Sequence, residues 1–209
     1  MSAPETSLAA AGGPSVSLPG KSTLLVIDVQ GDINNSRFDA ARQFPMPQFN
    51  EYMQRIAALI AAARAGGLPI IYLQEVHHPS LIDFGRELDG FERVHCIEDA
   101  AGTAIAPEMD RRPGDFYIRK RRYSAFFCTE LEIYLRGLES TTLIMVGGFT
   151  DVCVHYTFAD AHQRGYTCRV VEDCVAGSSL EAHRAALAAM EFLQPGCRCQ
   201  RDELIARIV

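Results

Sequence analysis

Three side chains with the chemistry needed for nucleophilic catalysis follow apolar stretches of this sequence: Asp28, Lys120 and Cys153. Cys153 comes shortly after Gly147 and Gly148, which permit a tight turn, and it falls in the first turn of a predicted helix. The partial positive charge and N–H groups at a helix N-terminus lower a cysteine pKa from about 8.5 and can bind an oxyanion. This turn could therefore supply a nucleophile and an oxyanion hole, and the alternative is a buried structural cysteine.

Asp28 and Lys120 each have a structural explanation as well. Asp28 ends an otherwise apolar strand, where an ionised carboxylate is costly unless it is paired or functional. It could instead cap a helix or bond to a neighbouring loop. Lys120 ends another short strand inside the basic run 119–122, and such a run is more often a solvated face. Alone, neither residue identifies a catalytic site.

Alternating strands and helices must position these side chains. Apolar, β-branched runs predict strands at about 23–29, 69–75, 116–119, 142–147 and 167–172, and helical spacing predicts helices at about 49–65, 127–137, 151–164 and 180–193. The alternation indicates an α/β fold, a three-layer, doubly wound, mostly parallel sheet with helices on both faces. Ligands of such sheets bind at the carboxyl ends of the strands, where residues 28–30, 75–78, 120–123 and 148–153 lie.

Length and composition indicate one globular domain. The chain has 209 residues, of which 48% are hydrophobic and 22% are charged. Residues 1–20, rich in Ala, Ser, Gly and Pro, predict a flexible tail, and residues 21–209 the domain. The net charge of -6 argues against nucleic acid as a partner, and no apolar run is long enough for a membrane, so we expect a cytoplasmic protein. Seven scattered cysteines indicate reduced thiols, and Cys197-Arg-Cys199 is too short for a CxxC site.

The sequence around the three positions resembles the isochorismatase-like cysteine hydrolases. Leu25-Val-Ile-Asp-Val-Gln30 is similar to the family's first strand with its catalytic aspartate. Lys120-Arg-Arg-Tyr-Ser-Ala-Phe126 is similar to its K-x-x-Y-S-A/G-F segment, and Gly148-Phe-Thr-Asp-Val-Cys-Val154 to its G-x-x-T-x-x-C-V elbow. The similarity spans about residues 22–195, essentially the whole predicted domain.

This resemblance implies a catalytic triad of Asp28, Lys120 and Cys153. Asp28 would take the thiol proton and return it to the leaving nitrogen, while Lys120 stabilises both charges. The backbone N–H groups of Phe149 and Cys153 would hold the oxyanion, next to a cis peptide bond at Gly148–Phe149. Water would then hydrolyse a thioester on Cys153. True isochorismatases of this fold lack the elbow cysteine, so its presence favours an amidase.

A metal motif known in the nicotinamidase branch, D-x-H-x5-H, is altered here. Glu75 stands in place of the aspartate, His77 is kept, and Asp83 replaces the second histidine. These three residues, with His95, could form an oxygen and nitrogen site for a divalent ion. We nevertheless expect neither a metal nor another cofactor.

The predicted substrate is a small amide, ureido or carbamoyl compound, and the expected assembly is a homo-oligomer, a dimer or tetramer. The predicted substrate contacts are Gln30, Glu75, His77, Tyr123, Phe126 and Thr150. Specificity would come from loops 31–46 and 76–95, with Asn34, Asn35, Arg37, Arg86 and Glu87 as further polar candidates. The alternatives are a nicotinamidase-type, metal-assisted amidase, a catalytically idle binding protein on the same fold, and a redox-sensing thiol protein.

Overall fold

The computed structural model describes residues 16–31, 49–90, 92–100 and 102–208, with only the backbone at 49–50. Its strands are β1 (Lys21–Ile27), β2 (Ile70–Glu75), β3 (Phe116–Lys120), β4 (Ser140–Gly148), β5 (Thr167–Ala176) and β6 (Arg198–Cys199). Its α-helices are α1 (Phe49–Ala65), α2 (Leu131–Gly137), α3 (His155–Gln163), α4 (Leu180–Leu193) and α5 (Arg201–Ile208). A π-helix spans Thr150–Val154, and two 3₁₀ helices span Glu87–Asp89 and Pro107–Met109.

The strands form one parallel sheet in the order β3-β2-β1-β4-β5-β6. Helices α1 and α5 cover one face, where residues such as Met53, Ile60 and Leu204 are buried. Helices α2, α3 and α4 cover the other, with Leu135 and Phe158 among the buried residues. The predicted three-layer, doubly wound fold is confirmed, and both faces are covered, which explains why the strands lack polar alternation.

The chain order creates a crevice beside β1. After β1 the chain builds outward through β2 to β3, and after β3 it returns to build β4, β5 and β6 on the other side. The connection from β1 to β2 and the connection from β3 to β4 lie on opposite faces of the sheet. The loops that leave β1 and β4 therefore diverge. The carboxyl ends of these two strands, at Asp28 and Gly148, therefore border the expected ligand crevice.

Element boundaries differ from the predictions at several points. The predicted helix at 127–137 begins only at Leu131, and the predicted helix at 151–164 is divided into the π-helix and α3. Strands β4 and β5 are longer than predicted, and β6 and α5 were not predicted. A two-residue strand such as β6 is too short to produce a hydrophobic pattern.

Residues 16–20 of the predicted tail pack against the domain. Val16 is buried, its carbonyl accepts a hydrogen bond from Arg207, and the carbonyl of Pro19 accepts from Thr142. Residues 1–15 lie outside the described residues, so the tail stays a prediction there. Among the helices of the described residues, none has the length and apolar character needed to cross a bilayer.

Candidate active site

A tight turn joins β4 to the π-helix that carries Cys153, and we call residues 147–154 the elbow. Gly147 has φ of 110°, and a Cβ atom there would lie 2.0 Å from the carbonyl oxygen of Ile27. Only glycine permits this close approach of β4 to β1. The peptide bond Gly148–Phe149 is cis, as expected. Beyond it, the carbonyl of Phe149 accepts hydrogen bonds from the N–H groups of Val152 and Val154, both at 3.1 Å.

The structure brings the three predicted catalytic side chains together. Lys120 Nζ lies 2.7 Å from Asp28 Oδ2 and 3.4 Å from Cys153 Sγ, and it also donates to the carbonyl of Arg122 at 3.0 Å. The side chains of Asp28 and Lys120 are fully buried, and Cys153 is 1% exposed. Asp28 follows β1 in the centre of the sheet, and Lys120 ends the edge strand β3, which is separated from β1 by β2. The basic run thus contributes one buried cation, in contrast to the solvated-face alternative.

The Lys120 ammonium is held charged by its neighbours. Burial alone would lower its pKa, but the charges of Asp28, Cys153 and Glu75 and the hydrogen bond to Asp28 raise that pKa above its ordinary value. A buried cation with this many acceptors keeps its proton throughout the neutral range. It can therefore stabilise negative charge on the carboxylate and on the sulfur.

Glu75 is a fourth member of this charged group. Its Oε2 lies 3.5 Å from Lys120 Nζ and 3.7 Å from Cys153 Sγ. Its Oε1 lies 2.7 Å from His95 Nε2 and 3.3 Å from His77 Nε2. The register of β2 and β3 places Glu75 beside Lys120, which the sequence motifs did not indicate. Both oxygens of this fully buried carboxylate contact protein groups, and its role as a substrate contact stays a prediction.

Gln30 forms hydrogen bonds with the backbone of Glu75. Its Nε2 donates to the Glu75 carbonyl at 2.9 Å and to the Thr103 carbonyl at 2.7 Å, and its Oε1 accepts from the Glu75 N–H at 3.0 Å. These hydrogen bonds make Gln30 a brace for β2, and its substrate contact stays a prediction. The residue is fully buried, which is consistent with all of its amide groups being used.

A second buried cluster, Glu75, His77, Glu87 and His95, adjoins the thiol. His77 Nε2 lies 3.3 Å from Glu87 Oε2, and the ring stacks on Phe84 with 3.8 Å between centroids. Burial would lower the pKa of His77, but hydrogen bonds to Glu75 and Glu87 and their charges raise it to about 9. His77 is therefore an imidazolium at neutral pH that lies 3.3 Å from each of two carboxylates, and its role as a substrate contact stays a prediction.

This cluster is where a divalent ion could bind. Two carboxylates and two imidazoles are suitable ligands for such an ion, and the donor atoms lie within 4.8 Å of one another. Asp83, named with Glu75 and His77 as a possible ligand, accepts the His78 N–H at 3.0 Å and pairs with Arg121 at 2.9 Å, and the cluster contains Glu87 in its place. Binding of a metal through His77 would have to displace a proton from a ring with a raised pKa. The positive charge of His77 therefore offsets part of the negative charge of Glu75 and Glu87 at neutral pH.

Two adjoining cavities open in front of the elbow, with volumes of about 500 and 400 Å³. They share Arg86, Glu87, Tyr123 and Tyr156. The smaller one reaches Phe149 of the elbow. The Tyr123 hydroxyl donates to Glu92 Oε2 at 3.0 Å, and burial followed by the charge of Glu92 raises the Tyr123 pKa above its ordinary value. Tyr123 is thus the predicted substrate contact that the structure places at a cavity wall.

The other predicted contacts are directed into the protein. Phe126 is 7% exposed and packs in the core, with the Arg164 guanidinium 4.8 Å from its ring centroid. Thr150 is fully buried, and its Oγ1 lies 2.9 Å from His183 Nδ1. Neither is among the residues that line the two cavities, which is also true of Cys153, so both substrate contacts stay predictions. Asn34, Asn35 and Arg37 lie outside the described residues.

The chain is similar to a known protein family and to several known hydrolases. The family model described as "Isochorismatase domain" matches residues 22–201. Ureidoacrylate amidohydrolase RutB of Methylobacterium radiotolerans is 30% identical over 197 residues, which cover 83% of this chain and 74% of that protein. N-carbamoylsarcosine amidase from Thermoplasma acidophilum has a TM-score of 0.70 and 25% identity, covering 88% of this chain and 98% of its own. A cysteine hydrolase from Pseudomonas syringae pv. phaseolicola 1448A, with a TM-score of 0.81, 24% identity and coverage of 95% and 98%, shares the fold.

His77 is expected to make the free energy of unfolding depend on pH. Its pKa is raised from 6.5 to about 9 in the folded protein, so its stabilising charge is fully present below pH 6.5 and is lost as the pH rises through about 9. The difference in unfolding free energy between the wild type and His77→Gln should therefore shrink by roughly 3 kcal/mol from pH 6 to pH 10. Urea titrations of both proteins measure it, and a constant difference across this range would contradict a charged His77.

Proposed function

Because this chain belongs to the isochorismatase family, we propose that it hydrolyses a carbon–nitrogen bond, other than a peptide bond, in a small molecule with Cys153 as the nucleophile. The observation that carries the proposal is the buried Lys120 ammonium, which contacts both the Asp28 carboxylate and the Cys153 sulfur. A relative is named a ureidoacrylate amidohydrolase and a structural neighbour an N-carbamoylsarcosine amidase. The chain is accordingly an amidase-type hydrolase, and the cysteine mechanism and the substrate are the proposed part.

Acylation begins at the thiol. A carboxylate oxygen of Asp28 lies within 4.8 Å of Cys153 Sγ and takes the thiol proton as the sulfur attacks the substrate carbonyl carbon. Lys120, 3.4 Å from the sulfur, stabilises the thiolate that develops. The carbonyl oxygen becomes an oxyanion, held by the backbone N–H groups of Phe149 and Cys153.

Collapse of this intermediate breaks the carbon–nitrogen bond. The proton on Asp28 passes to the leaving nitrogen, which departs as ammonia or an amine and leaves a thioester on Cys153. A water molecule then attacks the thioester carbon, giving a proton to Asp28, and the thiolate leaves. Asp28 finally returns that proton to the sulfur, so the enzyme is restored and one water is consumed.

The substrate is proposed to be a ureido or carbamoyl compound. The smaller cavity is lined by Glu87, Glu92 and Tyr123 as well as by Phe149 of the elbow, and the two glutamates have carboxylate acceptors. The N–H groups of a urea-like substrate could bond to such acceptors, leaving fewer buried polar groups unpaired than an apolar ring would. Glu87 and Glu92 would thus bind the substrate N–H groups, a role that the sequence suggested for Glu75.

A nicotinamidase-type, metal-assisted amidase is the second candidate, because the Glu75, His77, Glu87 and His95 cluster contains ligands that a divalent ion accepts. In that case the cluster would bind the ion beside the thiol and the ion would supply Lewis acidity. The expected homo-oligomer is independent of this choice and stays a prediction.

Substitution of the triad should abolish turnover in a non-additive way. Cys153→Ala removes the nucleophile, and Asp28→Asn and Lys120→Ala should be nearly as damaging because each leaves the thiol without its base or its cation. Residues that act as a unit are non-additive, so Asp28→Asn/Cys153→Ala should be little worse than either single variant in kcat. Cys128→Ser, at an exposed thiol outside the site, should retain activity. Additive losses would show that Asp28 and Cys153 do not cooperate.

Activity should survive removal of divalent ions. The proposed mechanism has its own nucleophile, base and oxyanion donors, and the carboxylates of the second cluster are already bonded to His77 and His95. Dialysis against EDTA, followed by assay with and without added Zn²⁺, Mn²⁺ or Fe²⁺, tests this. Loss of turnover on dialysis with recovery on adding one ion would instead support the metal-assisted candidate.

Ureido and carbamoyl compounds should be better substrates than nicotinamide. The measurement is kcat/KM for ammonia release from biuret, ureidoacrylate, several N-carbamoyl amino acids, nicotinamide and simple aliphatic amides. If nicotinamide ranked first by more than about tenfold, the polar pocket would not be selecting urea-like N–H groups and the ureido assignment would fail. The cysteine mechanism would be untouched by that outcome.

A further inference from the structure

The elbow is held from outside by the first turn of α4. Thr150 Oγ1 lies 2.9 Å from His183 Nδ1. The neighbouring Asp151 accepts two hydrogen bonds from Ser178, one from its N–H at 2.8 Å and one from its hydroxyl at 2.5 Å. Two consecutive elbow side chains are therefore anchored to one short segment, residues 177–183, which lies about 30 residues further along the chain.

The Thr150–His183 contact is buried and closely packed. Thr150 is fully buried and His183 is 5% exposed. Burial lowers the pKa of His183, so the ring is neutral at pH 7 and its Nδ1 can accept the threonine hydroxyl proton. A Cβ atom on Gly177 would lie 2.7 Å from the His183 Cβ and 2.9 Å from Asp151 Oδ1. The absence of a side chain at 177 thus lets α4 approach the elbow this closely.

Thr150 occupies a sensitive place in the proposed mechanism. It lies between Phe149 and Cys153, whose N–H groups are the proposed oxyanion donors. From inside, the elbow is fixed by the Phe149 carbonyl, which accepts from Val152 and Val154. From outside, the buried Thr150 side chain has His183 as its hydrogen-bond partner. Loss of that partner would leave a buried hydroxyl unsatisfied, and the elbow would shift to satisfy it.

We propose that His183 is a positioning residue that fixes, through Thr150, the elbow backbone between the two oxyanion donors. Its hydrogen bond is to Thr150, and it is not among the residues that line the two cavities, so its proposed action is through the elbow. The inference rests on the proposed function, because only a reaction with a tetrahedral oxyanion needs these donors. A displacement of about 1 Å at such a site can lower the rate by ~10²-fold, so one hydrogen bond behind the elbow can matter.

The test compares His183→Leu with His183→Asn. Leucine has a similar size but no polar atom, whereas the asparagine amide places a polar atom close to the position of Nδ1. We expect His183→Leu to lower kcat by about 10- to 100-fold with KM within about twofold of the wild type. His183→Asn should recover most of the lost kcat. The assay is turnover of whichever ureido or carbamoyl substrate the wild type hydrolyses best.

Alkylation of Cys153 by iodoacetamide separates oxyanion binding from thiol placement, because this displacement forms no oxyanion. The Cys128→Ser background removes the exposed competing thiol. Among the other thiols, burial raises the pKa of Cys168, Cys197 and Cys199 to about 12, so they react slowly. The alkylation rate and Tm of His183→Leu should stay close to those of the background protein while its kcat falls.

Two results would overturn the inference. One is a His183→Leu variant that keeps its kcat, and the other is a parallel fall of kcat, alkylation rate and Tm, which would mark a structural role alone. If His183→Leu does not fold, Thr150→Val removes the same hydrogen bond from the elbow side and should give the same separation of kcat from alkylation. Turnover that persists in Cys153→Ala would instead refute the proposed function, so the two failures are distinguishable.

Discussion

The site depends on one buried ammonium group. Lys120 is fully enclosed, and a charge taken out of water is tolerated only when other groups replace its hydration. Asp28, the Arg122 carbonyl, Cys153 and Glu75 do so, at 2.7 to 3.5 Å from Nζ. Removing the cation would leave two buried carboxylates facing each other. The fold requires the Lys120 ammonium to offset the charge of these carboxylates. The same ammonium therefore stabilises a thiolate at Cys153.

Sheet topology is what allows this group to assemble. Its members leave strands β1, β2 and β3 and the elbow after β4, which are four neighbours in the sheet. In parallel strands all carboxyl ends lie on one edge, so residues that are more than a hundred positions apart in sequence converge there. The close approach of Gly147 to the Ile27 carbonyl sets the elbow directly beside Asp28. Packing of two apolar layers thus fixes the distances between the charged groups.

The sequence predicted the parts of this arrangement that follow from local patterns. Apolar runs located the long strands and helices, and ordered motifs at strand ends located Asp28, Lys120 and Cys153. The roles of Glu75 and Glu87 were not predictable in this way, because the position of Glu75 depends on strand register and Glu87 begins a three-residue 3₁₀ helix, which is too short to give a hydrophobic pattern. The contact of His183 with Thr150 was not predictable either, because it depends on how α4 docks on the elbow. Such long-range contacts leave no periodic signal in the sequence.

Glu75 links the two charged clusters. Its Oε2 faces Lys120 and the thiol, while its Oε1 faces His77 and His95. The proton on His77 therefore offsets a carboxylate that also contacts the nucleophile, and loss of that proton above a pH of about 9 adds net negative charge beside the sulfur. At the short distances involved, interactions in a water-poor interior remain strong. Through the two oxygens of Glu75, the charge on His77 is therefore coupled to the charges on Lys120 and Cys153.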